Sequence, residues 1–177
     1  MSEYGVFTEA GTVRFRRVLP GPIERVWAFL TEPEKRATWF AGGPMDLWPG
    51  GTARLHFRHA NLSEGEEPPE QYRQAQEGFD FECRITRCEP PRLLAFEWEG
   101  EPGEPMSEVT FELTPEGDAV VLDLTHRRLG PAGLRSVSGG WHLHLAMLEA
   151  RLTGTAPPPF WATHARLEAE YAARLGG

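Results

Sequence analysis

The chain has 177 residues, 40% of them apolar, with a formal charge of −8 at pH 7. That length suits one domain on one core. The acidic balance without a basic stripe argues against a duplex nucleic-acid binder, and no apolar run nears the ~20 residues that span a bilayer.

The opening "MSEYGVFTEAGTVRF" has neither a basic n-region nor an apolar h-region, so no secretory signal is expected. Residues 12–19, "TVRFRRVL", alternate as a first strand, and "PGP" breaks it. "IERVWAFL" then sets Ile23, Val26, Trp27 and Leu30 on one helical stripe. Thr31 and Pro33 stop that helix and start a second, which ends at Trp39-Phe40.

The period then changes to two. "MDLW" and "TARLHFR" read as a hairpin turned by "PGG". Residues 60–77, acidic and rich in Pro and Glu, read as a long mobile loop with room for one helical turn. Four further one-sided strands carry Phe79, Phe81, Cys83 and Ile85; Leu94, Phe96 and Trp98; Val109, Phe111 and Leu113; Val120, Leu122, Leu124 and His126. "GPAG" at 130–133 resets the chain. A long helix is expected from Ser136 or Ser138, either serving as cap, to Leu152, closed by Gly154 and "PPP". A last helix spans about Phe160 to Leu175. A sheet of this length needs cover on its apolar face, and only the long helix reaches across it.

Residues 138–152, "SGGWHLHLAMLEARL", bear most on function. At 100° per residue Trp141, Leu145, Leu148 and Leu152 share a face, with Leu143, Met147 and Ala150 behind. His142 and His144 point about 200° apart, and the i, i+4 spacing of a helical zinc pair is absent, so no metal is expected. His126 and Arg17 fall in register with apolar neighbours and should point inward, either satisfying each other or orienting a ligand. His126 and His144 are the candidate acid–base groups. No GxSxG, HExxH, P-loop or dinucleotide fingerprint occurs, and Glu64, Glu66, Glu67 and Glu70 lack EF-hand spacing. Cys83 and Cys88, without a CxxC pair, read as free thiols of a reducing, cytoplasmic compartment.

"LPGPIERVWAFLTEPEKRATWF", "WPGGTARLHF", "CRITRCEPPRLLAFEWE" and "GGWHLHLAMLEARL" occur in that order. Together they resemble the START-like, Bet v 1-like helix-grip superfamily (SRPBCC). Within it they look most like the bacterial branch related to the C-terminal domain of the activator of heat-shock-protein-90 ATPase. The matching features are the Val26-Trp27 helix, Trp39, the Gly50-Gly51 turn, Glu89-Pro90-Pro91 before Trp98, and Gly140-Trp141 with Leu145 and Leu148. The resemblance covers about residues 10–153 and leaves 154–177 as a helical extension of one domain.

It implies an α+β helix-grip fold, a curved antiparallel sheet around a long C-terminal helix, with an internal cavity. The residues expected to line that cavity are Arg17, Trp27, Trp39, Phe57, Phe81, Phe96, Trp98, Phe111, Leu124, His126, Trp141, His144, Leu145 and Leu148. The expected function is binding of a small apolar or aromatic molecule without a cofactor. The alternatives are a cyclase- or hydrolase-type enzyme using an inward His, and a chaperone-interacting module. The tail either folds back over Leu143, Met147 and Ala150 of its own long helix or, if the stiff "TGTAPPP" directs it outward, exposes Phe160-Trp161 as a patch suited to a homodimer.

Overall fold

A computed structural model describes residues 3–176. Seven strands form one antiparallel sheet: β1 (Val6–Glu9), β2 (Thr12–Pro20), β3 (Thr52–Phe57), β4 (Phe79–Glu89), β5 (Leu93–Trp98), β6 (Ser107–Glu116) and β7 (Ala119–Arg127). Their spatial order is β1-β2-β7-β6-β5-β4-β3. Helices α1 (Ile23–Thr31) and α2 (Pro33–Arg36) follow β2, and α3 (Arg73–Glu77) precedes β4. The long helix α4 (Pro131–Thr153) lies against the apolar face of the sheet, and α5 (Phe160–Arg174) doubles back over α4. The helix-grip architecture expected from the chain is the one it adopts.

The alternation in β2, β6 and β7 decides which face is dry. Val13, Phe15, Leu122, Leu124, Val109 and Phe111 are buried toward α4. The opposite face is polar: Arg14 and Arg16 both reach Asp123 at 3.0 Å.

Four sequence readings need correction. β1 was not foreseen: "VFTE" is four residues long and shows little period, and pairing with β2, with Phe7 opposite Val13, makes it a strand. "MDLW" forms no strand. Single bridges join Gly42 to His56 and Met45 to Ala53, and the carbonyls of Ala41, Gly42 and Gly43 just before this segment accept from the Arg36 guanidinium, Gly42 sharing its oxygen with the His56 N–H.

The third correction concerns the start of α4. Pro131 sits at its first turn, and the Glu104 carboxylate accepts the N–H groups of Ala132 (2.9 Å) and Gly133 (3.0 Å). An acceptor 28 residues away thus does the work assigned to Ser136 or Ser138. Both serines lie inside the helix, where Ser138 Oγ donates to the Leu134 carbonyl. Gly130 and Gly133 are needed there, since a Cβ on either would fall within 2.7 Å of that carboxylate.

The fourth concerns residues 60–77. They contain two 3-10 turns and α3, and they are stitched to α5. Glu66 accepts the N–H groups of Phe160, Trp161 and Ala162, where the helix dipole favours an anion. Gln76 accepts from Trp161 Nε1 at 3.0 Å, and the Tyr72 ring stacks on Trp161 at 5.5 Å.

The tail belongs to the core. Phe160, Trp161, Leu167 and Tyr171 are buried, and they cover Leu143, Met147 and Ala150, which are buried too. The exposed Phe160-Trp161 patch on which the homodimer expectation rested is therefore absent. No helix among the described residues is long and apolar enough to cross a membrane.

Candidate ligand cavity

A half-open cavity of about 300 Å³ lies between the sheet and the first half of α4. The sheet supplies Phe57 from β3, Phe79 and Phe81 from β4 and Trp98 from β5. The facing helix supplies Gly133, Ser136, Val137, Gly140, Trp141 and His144, which follow one another at helical spacing. Phe40 and His59 close the inner side. Glu99 and Glu101, in the loop after β5, stand at the lip together with Gly100.

Aromatic faces form the walls. Phe40 stacks on Trp141 with ring centroids 5.0 Å apart, Trp98 tilts against Trp141 at 5.7 Å, and Phe57 stacks on Phe79 at 4.8 Å. Nothing within 4 Å would meet a Cβ at Gly140, so this glycine keeps one side of the cavity open.

Two histidines give the inner part of the cavity its polar groups, while Ser136, Glu99 and Glu101 border it as well. His144 Nδ1 lies 2.8 Å from the Trp39 carbonyl and His59 Nδ1 lies 3.0 Å from the Ala75 carbonyl. A carbonyl only accepts, so each Nδ1 carries the hydrogen and each Nε2 is a bare acceptor. Neither Nε2 has a hydrogen-bond partner among the described residues. The rings are 6.3 Å apart.

His126, the other candidate acid–base group, is committed elsewhere. Trp141 Nε1 donates to His126 Nδ1 at 3.0 Å, which places the ring hydrogen on Nε2. Nε2 then donates to Ser107 Oγ at 2.8 Å, and Ser107 donates to the Trp98 carbonyl at 3.0 Å. Every polar atom of this relay is satisfied, His126 is fully buried, and its ring does not line the cavity.

Arg17 points inward as its register implies, but it does not meet His126. Arg17 pairs opposite Leu122 and His126 opposite Val13, and the Arg17 guanidinium donates to the carbonyls of Arg16 and Glu3.

Of the residues expected at the cavity, Phe57, Phe81, Trp98, Trp141 and His144 border it. Trp39, Phe96 and Phe111 pack together around a gap of only about 10 Å³. Leu124, Leu145 and Leu148 are fully buried in the core, and Trp27 packs half-buried against it from α1. Sequence reasoning missed Phe40, His59, Phe79, Gly140 and the two lip glutamates. The small side chains at 133, 136 and 140, in step with His144, were the available signal.

Burial holds His126 and His144 down to about 3 and His142 to about 4, the last helped by the Arg17 charge. All three stay neutral in the folded protein and titrate near 6.5 when unfolded. Unfolding therefore takes up a proton at each below pH 6.5, down to about 4 for His142 and about 3 for His126 and His144, and stability falls as pH drops through that window. The urea midpoint is expected to be flat above pH 6.5 and clearly lower at pH 5. An equal midpoint at pH 5 and 7 would refute this.

The family model described as Activator of Hsp90 ATPase homolog 1-like protein matches residues 20–153. The chain belongs to that family. None of the curated proteins matches it. Among solved structures, a Bordetella parapertussis protein determined in solution is 48% identical, with a TM-score of 0.86 over 98% of this chain and 91% of its own. CalU16 from Micromonospora echinospora is 27% identical, with a TM-score of 0.66 over 94% of this chain and 88% of its own. A conserved protein of unknown function from Enterococcus faecalis shares the fold at 17% identity, with a TM-score of 0.65 over 94% of this chain and 86% of its own. The family match ends where α5 has yet to begin, whereas the Bordetella likeness spans nearly the whole chain, α5 included.

Among the described residues no group of three His, Cys, Asp or Glu is placed to share a metal ion.

Proposed function

We propose that this protein binds a small apolar or aromatic molecule in the cavity between sheet and α4. The observation that carries the reading is the cavity itself: about 300 Å³, open on one side, with aromatic faces from both halves of the grip as its walls. An apolar cavity of ~150 Å³ accepts one benzene, so this volume suits a molecule of two fused or linked rings. The buried thiol of Cys83 and the half-buried one of Cys88, both free, fit a cytoplasmic setting.

N-phenyl-1-naphthylamine, a neutral two-part aromatic probe, should bind and brighten. Gly140→Leu should then lower its affinity at least ~10-fold, because the new side chain enters space the cavity now uses. The fold should survive, since Leu is favoured over Gly inside a helix by ~0.8 kcal/mol. Val137→Phe should act similarly from the same helix face. Unchanged probe affinity in both well-folded variants would defeat the reading.

A further inference from the structure

The unpartnered acceptors in the cavity say more about its occupant than the walls do. His144 is only 8% exposed, its Nδ1 is held by the Trp39 carbonyl, and its Nε2 lies on the free edge of a ring that borders the cavity. His59 repeats the arrangement 6.3 Å away: Nδ1 donates to Ala75, Nε2 is free, and the ring borders the same space. A buried acceptor is stable against water or against a donor, and poorly stable against a hydrocarbon. A purely apolar ligand that displaced water here would leave both nitrogens orphaned. The remaining charge at the cavity is negative, because Glu99 and Glu101 border it and no Lys or Arg does.

We propose that the cavity selects a neutral aromatic molecule bearing a hydroxyl on its ring edge, whose O–H donates to His144 Nε2, with His59 Nε2 as the neighbouring acceptor. This rests on the reading that the cavity holds an aromatic ligand, and it adds the functional group that ligand carries. The aromatic faces take the ring and the imidazole takes the hydrogen. A carboxylate or phosphate meets the acidic lip and then two lone pairs that repel it. An ammonium suits the acceptors, the acidic lip and the aromatic faces, but it gives up a strongly held hydration shell on entering, which a neutral hydroxyl does not. Burial holds His144 down to about 3, so its Nε2 is an unprotonated acceptor at neutral pH. The same property makes it a poor general base near neutral pH.

The test is calorimetric titration of the full chain with naphthalene, 2-naphthol, 2-methoxynaphthalene, 2-naphthoate and 2-naphthylmethylammonium. 2-Naphthol should bind ~5–10-fold more tightly than 2-methoxynaphthalene, which differs in lacking the donor, and naphthoate and the ammonium should bind more weakly than 2-naphthol. In His144→Phe the naphthalene affinity should persist while the hydroxyl preference disappears. In the unsubstituted chain labelled with nitrogen-15 histidine, the Nε2 resonance of His144 should move on adding 2-naphthol and stay in place with 2-methoxynaphthalene. That readout holds whether or not the variant folds. Equal affinities for 2-naphthol and 2-methoxynaphthalene, or tighter binding of the anion or the ammonium, would overturn the hydroxyl selection and leave the aromatic cavity standing. Failure of all five probes to bind would overturn the cavity reading and this inference with it.

Discussion

Arg36→Met lowers stability by ~3–5 kcal/mol, as read from the urea midpoint, or prevents folding. The guanidinium is 1% exposed, and no carboxylate among the described residues stands within ion-pair reach of it. Its partners are carbonyls instead. Nε donates to Ala41, Nη1 to Leu30 and Thr31, and Nη2 to Gly42 and Gly43. Those acceptors close the end of α1 and the irregular segment leading to β3. Removing the side chain takes a donor from each; the Gly42 carbonyl keeps the His56 N–H, and those left without a partner cost ~1–3 kcal/mol apiece if they find no water. Burial pushes the guanidinium down to about 10, so it stays charged at neutral pH and its hydrogen bonds are charge-assisted. Arg36→Lys should recover little, because an ammonium has three donors and no planar fork. A midpoint for Arg36→Met within ~1 kcal/mol of the natural chain would show that the carbonyls find other partners.

Trp141→Ala should cost ~3–5 kcal/mol in the same assay. The indole is 3% exposed, stacks on Phe40, leans on Trp98 and meets Phe111 edge-on at 5.8 Å. Trp141→Phe separates packing from polarity. It keeps a ring in place but removes the N–H that satisfies His126 Nδ1, and should cost ~1–3 kcal/mol. If Trp141→Phe matches the natural chain while Trp141→Ala is severely destabilised, the His126 relay contributes nothing and Trp141 acts by shape alone.

Periodicity carried the readable part of this molecule. β4 to β7 are long enough for period-two burial to show, and the flanking Pro and Gly marked their turns, so the grip around α4 was legible. What stayed hidden depends on partners distant in sequence. α4 begins five residues before Ser136 because Glu104 arrives from another loop, and α5 is capped by Glu66, nearly a hundred residues away. No local pattern announces either cap. Residues 60–77 looked solvated by composition, yet the Glu66 carboxylate, the Gln76 amide and Tyr72 pin them to α5.

The site was legible only in part for a related reason. Period two correctly turned His126 and Arg17 inward, but facing inward does not distinguish a packed position from a cavity wall. His126 became a relay because Ser107 and Trp141, on two other elements, saturate it. His144 kept a free nitrogen because its single tie runs backward to Trp39. The hollow owes its open side to what α4 lacks at 140, and a missing side chain leaves weak evidence in a pattern of apolar residues.

The two remote carboxylates have a further effect on how the cavity is reached. Glu104 lies in the same connection as the lip residues Glu99 and Glu101, and Glu66 lies in the segment that begins with His59. The lip is thus moored to the positive end of α4, and the chain behind the inner wall to the positive end of α5. Moving either means parting an anion from backbone N–H groups, so the walls of the cavity are stiffened by the same electrostatics that start the helices. A molecule bound there as proposed must fit the opening as it stands, so selection by shape would begin at the lip, before the histidines are reached.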